Sequence, residues 1–286
     1  MIPGQLLVFG QTGQVAHELA QLSPEARCLN RSEADLADPE ACAAAIRAHA
    51  PRAVINAAAY TAVDRAEEEE ALATRINGDA PRAMAEACAA LGIPMVHIST
   101  DYVFDGAGDQ PFSPEHPTAP LGAYGRSKLL GEDGVRAAGG VHAILRTSWV
   151  FSGHGTNFAR TMLRLGAERD VLRVVADQIG GPTPAEAIAR ACLSIAETLR
   201  QAPDKTGTYH LAGQPATSWA GFARAIMDQA GLDCRIEDIP GTEYPTPARR
   251  PLNSRLDCFT LTENFGIAPP DWQAALPEVI AQLRSA

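Results

Sequence analysis

Short apolar runs alternate along the chain with longer stretches whose apolar residues recur at helical spacing. Leu6-Leu7-Val8-Phe9 reads as a buried strand that stops at Gly10, and helical spacing follows from about Gly13 to Leu22. Arg27 to Asn30 is a weak second strand. Asp38 then caps a helix with Pro39 at its first position and Ala43, Ala44 and Ile46 inside. Ala53 to Ala59 is a third strand. A single Ala- and Glu-rich helix is predicted from Ala66 to Leu91, closed by Gly92 and Pro94. Its acidic run, Glu67 to Glu70, reads as a solvated first turn favoured by the helix dipole. Ile93 to Ser99 is a fourth strand, Tyr124 to Val135 a helix and His142 to Val150 a fifth strand, with a Gly- and Pro-rich loop from Asp105 to Pro120. This alternation predicts an α/β fold, a doubly wound parallel sheet with right-handed crossovers.

The second half is less regular. Helices are predicted at Asn157 to Glu168, Pro184 to Arg200, from Ser218 to about Ala230, and at Asp271 to Leu283. Strands are predicted at Val171 to Ala176 and Thr208 to Leu211, and the Pro- and Arg-rich stretch Pro240 to Arg255 reads as ordered loop. The pattern contains no internal repeat and no low-complexity linker.

Composition narrows the function classes. The 286 residues carry a net charge of −10, which argues against binding nucleic acid through bulk electrostatics. Apolar runs fall far short of a membrane span, so no membrane partner is expected. Met1 to Gly4 lacks a basic stretch followed by an apolar core, so no secretory signal is expected and the expected location is the cytoplasm. The six cysteines are scattered without a C-x-x-C pair, and the seven histidines show no metal-ligand spacing, so no metal site is assigned. Of 24 basic residues only Lys128 and Lys205 are lysines.

The candidate chemistry begins at Gly10-Gln11-Thr12-Gly13-Gln14-Val15, between the first strand and the first helix. Glycines there allow a tight turn and let a pyrophosphate approach the helix N-terminus, as in Rossmann-type dinucleotide sites. Ala16 stands at the usual third glycine, where close helix packing is wanted. The second strand ends Leu29-Asn30-Arg31-Ser32 with no acid to hold an adenosine ribose. That leans toward NADPH, with Arg31 on the 2′-phosphate, and leaves NADH and a plain surface arginine open. Asp35 and Leu36 lie close enough in sequence to edge the adenine.

Tyr124 and Lys128 are four apart on a predicted helix and share a face. Five tyrosines and two lysines in 286 positions give about 0.03 such pairs by chance. An ammonium beside a phenol is expected to lower its pKa and to offer donors to ribose hydroxyls. Arginine's planar fork does not replace that compact charge. Thr100, at the carboxyl end of the fourth strand, is placed to hydrogen-bond a substrate carbonyl beside Tyr124. His97 and Tyr102 read as packing residues.

Gly10-x-x-Gly13 with Tyr124-x-x-x-Lys128 resembles the extended short-chain dehydrogenase/reductase superfamily. Within it the chain is similar to the dTDP-4-dehydrorhamnose reductase branch. The blocks that carry this are Asn56-Ala57-Ala58-Ala59-Tyr60-Thr61-Ala62-Val63-Asp64, Ser99-Thr100-Asp101-Tyr102-Val103-Phe104 and Arg146-Thr147-Ser148-Trp149-Val150-Phe151. Asp177-Gln178-Ile179-Gly180-Gly181-Pro182-Thr183 and Arg250-Pro251-Leu252-Asn253-Ser254-Arg255-Leu256 continue it. The resemblance implies NADPH-dependent reduction of the C4 ketone of dTDP-4-dehydro-6-deoxy-L-mannose to dTDP-L-rhamnose. It implies Tyr124 as proton donor, Lys128 as the group that tunes it and holds the ribose, and Thr100 on the carbonyl with Asp101 beside it. Ala58, Ala59, Tyr60 and Thr61 would line the cofactor, Trp149 would pack on the sugar or its nucleotide, and Arg250 and Asn253 would serve the substrate diphosphate. It also implies a division into a cofactor-binding part, residues 1–176, and a mainly sugar-nucleotide-binding part, residues 177–286, interleaved with it.

Three matters stay open at this level. The same branch resembles an NADP-binding regulatory subunit of methionine adenosyltransferase, and reductases of other nucleotide sugars share the motifs. Dimers are common among relatives. Some relatives are described with Mg²⁺, for which Glu18 is a conceivable ligand, although it reads better as a surface carboxylate.

Overall fold

A computed structural model describes residues 4–285. In chain order the first region runs β1 (Leu6–Phe9), α1 (Gln14–Leu22), β2 (Arg27–Leu29), α2 (Pro39–His49), β3 (Ala53–Asn56), α3 (Glu70–Thr74), α4 (Ala80–Leu91), β4 (Met95–Thr100), α5 (Ala123–Ala137) and β5 (His142–Thr147). It continues with β6 (Val150–Phe151), α6 (Phe158–Glu168), β7 (Val171–Val175), β8 (Ile179–Gly180), β9 (Thr183–Pro184), α7 (Ala185–Gln201) and β10 (Gly207–Leu211). The chain ends with β11 (Thr217–Ser218), α8 (Trp219–Ala230), β12 (Arg235–Ile239), β13 (Asn253–Ser254), α9 (Phe259–Phe265) and α10 (Trp272–Ser285).

Six strands form one parallel sheet in the order β10-β5-β4-β3-β1-β2. All residues of β1, β3 and β5 are buried, as expected where helices cover both faces. Helices α1 and α7 pack on one face around Leu19, Ile188 and Ile195. Helices α2, α4 and α5 cover the other, around Ile46, Met84 and Val135. The order turns back beside β1, and such a switch point opens a crevice at the carboxyl ends of the strands. The segment from α7 through β10 returns to this sheet after the chain has left it.

The remaining elements form a second lobe. Helices α6, α8 and α10 and the parallel pair β7–β12 surround a core of Phe151, Phe222, Ile226, Met227 and Trp272. Caps mark its helices: Asn157 accepts from Arg160 N at 3.0 Å and Ser218 from Gly221 N at 3.0 Å. Among the described residues no helix is long and apolar enough to cross a membrane.

Two expectations are corrected here. The single helix over Ala66 to Leu91 is a 3₁₀ turn (Arg65–Glu67), then α3, a π turn (Arg75–Asp79) and α4. Pro81 has no N–H for the Asn77 carbonyl, so the regular ladder cannot pass that point. Gly131 of α5 lies against that carbonyl instead. Second, Glu18 is not a surface carboxylate. It is 8% exposed on α1, and burial together with the nearby charges of Glu186 and Glu278 raises its pKa. Among the described residues no group of three or more His, Cys, Asp or Glu is arranged to hold a metal ion.

Candidate active site

A cavity of 890 Å³ opens at the carboxyl ends of the central strands. Its floor is the turn after β1. Gly10 has φ +114°, and a Cβ there would stand 3.2 Å from Ala16 Cβ, so an alanine at position 16 is compatible with this turn only beside a glycine. Gln11, Thr12, Gly13, Gln14 and Val15 line the same end, with Gly13 extended as the N-cap of α1 and no side chain capping it. That helix end therefore presents free amide groups to the cavity, a ready seat for an anion.

The β2 end supplies Asn30, Arg31, Asp35 and Leu36 to the lining. Asn30 turns its Oδ1 onto Ser32 N at 2.9 Å and Ser32 Oγ at 2.6 Å, which fixes the loop. Arg31 is exposed and donates to Asp35 at 3.1 Å, so its guanidinium is held beside the cavity mouth by a weak surface pair. From the β3 end come Ala58, Ala59 and Thr61. Tyr60 lies outside the lining, because its hydroxyl donates to Glu69 at 2.6 Å and its backbone is clasped by the Asn77 amide.

Tyr124 and Lys128 both face the cavity from α5. Glu67 accepts from Ala123 N at 2.9 Å and Glu70 accepts from Arg126 at 2.8 Å. The acidic run thus caps and tethers the helix that carries the pair, and is more than a solvated turn. Tyr124 is half-buried in the cavity wall, with its phenol beside Thr100. Burial pushes the pKa of that phenol above the ordinary value, opposed by the neighbouring Thr100 hydroxyl and reinforced by Asp101 and Tyr102. Lys128 is 2% exposed and donates to the Ile98 carbonyl at 2.7 Å. Burial pulls its pKa down to about 8, opposed by the Glu132 charge. The expected acidification of the phenol by Lys128 is therefore absent: the ammonium is aimed at a carbonyl, and desolvation governs the phenol.

Thr100 donates to Asp101 Oδ1 at 3.0 Å. Burial lifts the Asp101 carboxyl to about 6, opposed by the nearby Ser254 and Thr100 hydroxyls, and its Oδ2 is buried without a partner. Tyr102, expected only to pack, also lines the cavity, with its ring edge-on to Tyr124 at 5.5 Å. His97 is fully buried and meets Asn56 at 3.2 Å, a core histidine.

The far wall belongs to the second lobe. Trp149 holds φ +50°, an uncommon conformation for a bulky residue and one met at functional sites. Its indole stacks on Trp219 with centroids 3.6 Å apart. Trp219 and Thr147, whose buried Oγ1 is unpartnered, line the cavity and escaped the sequence reading. Trp219 stands at a helix start with no local motif to flag it, and Thr147 is visible only through its pairing with Thr100. Arg250 and Asn253 do not line the cavity. Arg250 donates to Asp64 at 2.7 Å and lies 3.5 Å from the Tyr102 hydroxyl. Asn253 is buried, donating to the Gln110 carbonyl at 2.8 Å and accepting from Arg255, so it braces a loop.

Comparison with known proteins places this geometry in a family. The RmlD substrate binding domain model matches residues 4–285. A dTDP-4-dehydrorhamnose reductase of Sinorhizobium fredii is 46% identical over 285 residues, covering 96% of each chain. The crystal structure of a dTDP-4-dehydrorhamnose reductase from Clostridium acetobutylicum superposes with a TM-score of 0.91 at 34% identity, over 98% of this chain and 99% of that one. That of a dTDP-4-dehydrorhamnose reductase from Bacillus anthracis in complex with NADP gives 0.90 at 32% identity, over 98% and 100%. The likeness in sequence and fold runs along nearly the full length, and the chain belongs to the RmlD substrate binding domain family, the family of the dTDP-4-dehydrorhamnose reductases.

Proposed function

We propose that this protein is an NADPH-dependent reductase that converts the C4 ketone of dTDP-4-dehydro-6-deoxy-L-mannose to the alcohol of dTDP-L-rhamnose. The observation that carries the reading is the meeting, in one cavity, of the Gly10–Gly13 turn with Tyr124, Lys128 and Thr100. NADPH supplies the hydride for C4 when bound. The free amides at the start of α1 suit its pyrophosphate, and Arg31 suits the 2′-phosphate by leaving its exposed pair with Asp35. Ala58, Ala59 and Thr61 form the wall along the cofactor, and Lys128 offers its ammonium to ribose hydroxyls.

Tyr124 and Thr100 share hydrogen bonding to the substrate oxygen, and Tyr124 gives up its proton as that oxygen becomes an alkoxide. With its pKa held above the ordinary value the phenol keeps its proton at neutral pH and yields it only to a stronger base such as the developing alkoxide. Trp149 and Trp219 offer an apolar wall to the sugar or its base, and Arg250 serves the diphosphate by turning from Asp64. Residues 4–176 would then mainly hold the cofactor and 177–285 mainly the sugar nucleotide, with the protein acting in the cytoplasm.

The test mixes purified protein, NADPH and dTDP-4-dehydrorhamnose and follows nicotinamide absorbance. Turnover is expected, with a Tyr124→Phe variant slowed by roughly 100-fold or more while still binding NADPH. NADPH binding without any substrate-dependent absorbance loss would make the protein a regulatory binder and end this reading.

A further inference from the structure

The most heavily bonded carboxylate in the sheet region belongs to Glu132, on α5 one turn beyond Lys128. It is fully buried and accepts four hydrogen bonds. Oε1 takes Ser99 Oγ at 2.6 Å and Arg146 Nε at 2.9 Å. Oε2 takes Arg146 Nη2 at 2.7 Å and Arg136 Nη2 at 2.7 Å. Arg146 is itself 1% exposed, and its Nη1 donates to the Pro114 carbonyl at 3.1 Å. Burying such a pair costs about as much as the pair returns, and apolar residues of equal volume often serve stability as well. Stability alone therefore does not account for it.

Its partners do. Ser99 of β4 and Arg146 of β5 are directly paired across the sheet, and the next pair is Thr100 with Thr147. Both threonines line the cavity. One carboxylate thus ties the helix carrying Tyr124 and Lys128 to the two strand ends carrying these hydroxyls. We propose that Glu132 is the positioning residue of the catalytic group, seating α5 on β4 and β5 so that Tyr124 and Lys128 meet the Thr100–Thr147 pair. The inference rests on the reading of Tyr124 and Lys128 given above.

Glu132 has a second effect through charge, since it opposes the desolvation of Lys128. The other charged and titratable groups around the cluster are Asp133 and Arg136 on α5, His97 on β4, Asp101 after β4, His142 and Arg146 on β5, His210 on β10 and Arg82 on α4. Burial shifts all three histidines toward the neutral form, His97 well below its ordinary range, His210 to about 3 and His142 downward. Asp101 is lifted only to about 6, so the group left to titrate on the alkaline side is Lys128.

Glu132→Gln alone leaves Arg146 in the interior without its counter-charge, so the double variant Glu132→Gln/Arg146→Met is the informative protein. Thermal melting reports its folding, an NADPH titration its cofactor site, and the pH profile of kcat the state of Lys128. The folded double variant should bind NADPH as the parent does, lose roughly tenfold or more in kcat, and show its alkaline limb moved down by about one pH unit. A folded double variant with parental kcat and an unmoved limb overturns the inference, with Tyr124→Phe still inactive. An active Tyr124→Phe removes the underlying reading instead. Should the double variant not fold, Ser99→Ala removes one neutral donor and leaves every charge paired. A several-fold loss of kcat at unchanged KM then supports the positioning role, and parental kcat overturns it.

Discussion

At the scale of single residues, desolvation sets the chemistry of the cavity. It raises the Tyr124 phenol, lowers Lys128 to about 8 and lifts Asp101 to about 6. For Asp101 the sign follows from linkage. The folded protein holds this proton more tightly than the unfolded chain, whose ordinary value is 3.8, so stability falls as pH climbs from about 4 to about 6 and stays lower above that. Asp101→Asn should therefore melt above the parent at about pH 8, with the gap closing toward about pH 4, while turnover drops because Thr100 loses its carboxylate acceptor. Calorimetry at the two pH values checks it, and an identical gap at both refutes it. The Tyr124–Lys128 pair was legible in the sequence because a four-residue spacing on a helix is local geometry. The Glu132–Arg146 pair was not, since its members meet only when α5 lies across β5. The direction of the phenol shift was misjudged for the same reason, since burial belongs to the folded molecule.

Among elements, α5 decides how the site is assembled. It rests on the turn after β4 through Gly125, where a Cβ would stand 2.2 Å from the Tyr102 carbonyl and 2.9 Å from Pro120. Gly125→Ala must lift the helix start that carries Tyr124. We expect a kcat loss of roughly 10- to 100-fold and a stability loss of about 1–3 kcal/mol. Stopped-flow turnover and urea melting would measure them, and parental kcat would show that α5 need not sit so close. Element positions with sharp punctuation were readable from the chain: β1 before Gly10, α2 after Asp38-Pro39, α8 after Ser218. The break in the Ala66 to Leu91 helix was legible too, since Pro81 falls deep inside that span and has no N–H for the Asn77 carbonyl. That α5 would lie against the freed Asn77 carbonyl was not legible, because it is a contact between segments far apart in the chain.

For the whole molecule, alternation of strand and helix was enough to predict a doubly wound sheet, but not that α7 and β10 would return to complete it at the edge beside β5. A returning segment leaves no mark in the sequence beyond an ordinary helix and a short strand. It also brings the second lobe back over the crevice, which is how Trp219 reaches a cavity built largely from the first 150 residues. That placement has an optical consequence. Of the three tryptophans, Trp149 and Trp219 lie face to face on the cavity wall. Trp272 is sealed in the second core with its ring nitrogen on the Pro215 carbonyl at 2.7 Å. Indole emission overlaps the absorption of reduced nicotinamide, so NADPH seated in the cavity should quench two emitters strongly and the third least. Trp219→Phe should remove a large part of the quenching, and a response unchanged in that variant would mean the light comes from elsewhere. The stacked indoles make the protein its own gauge of occupancy, readable in real time without a label.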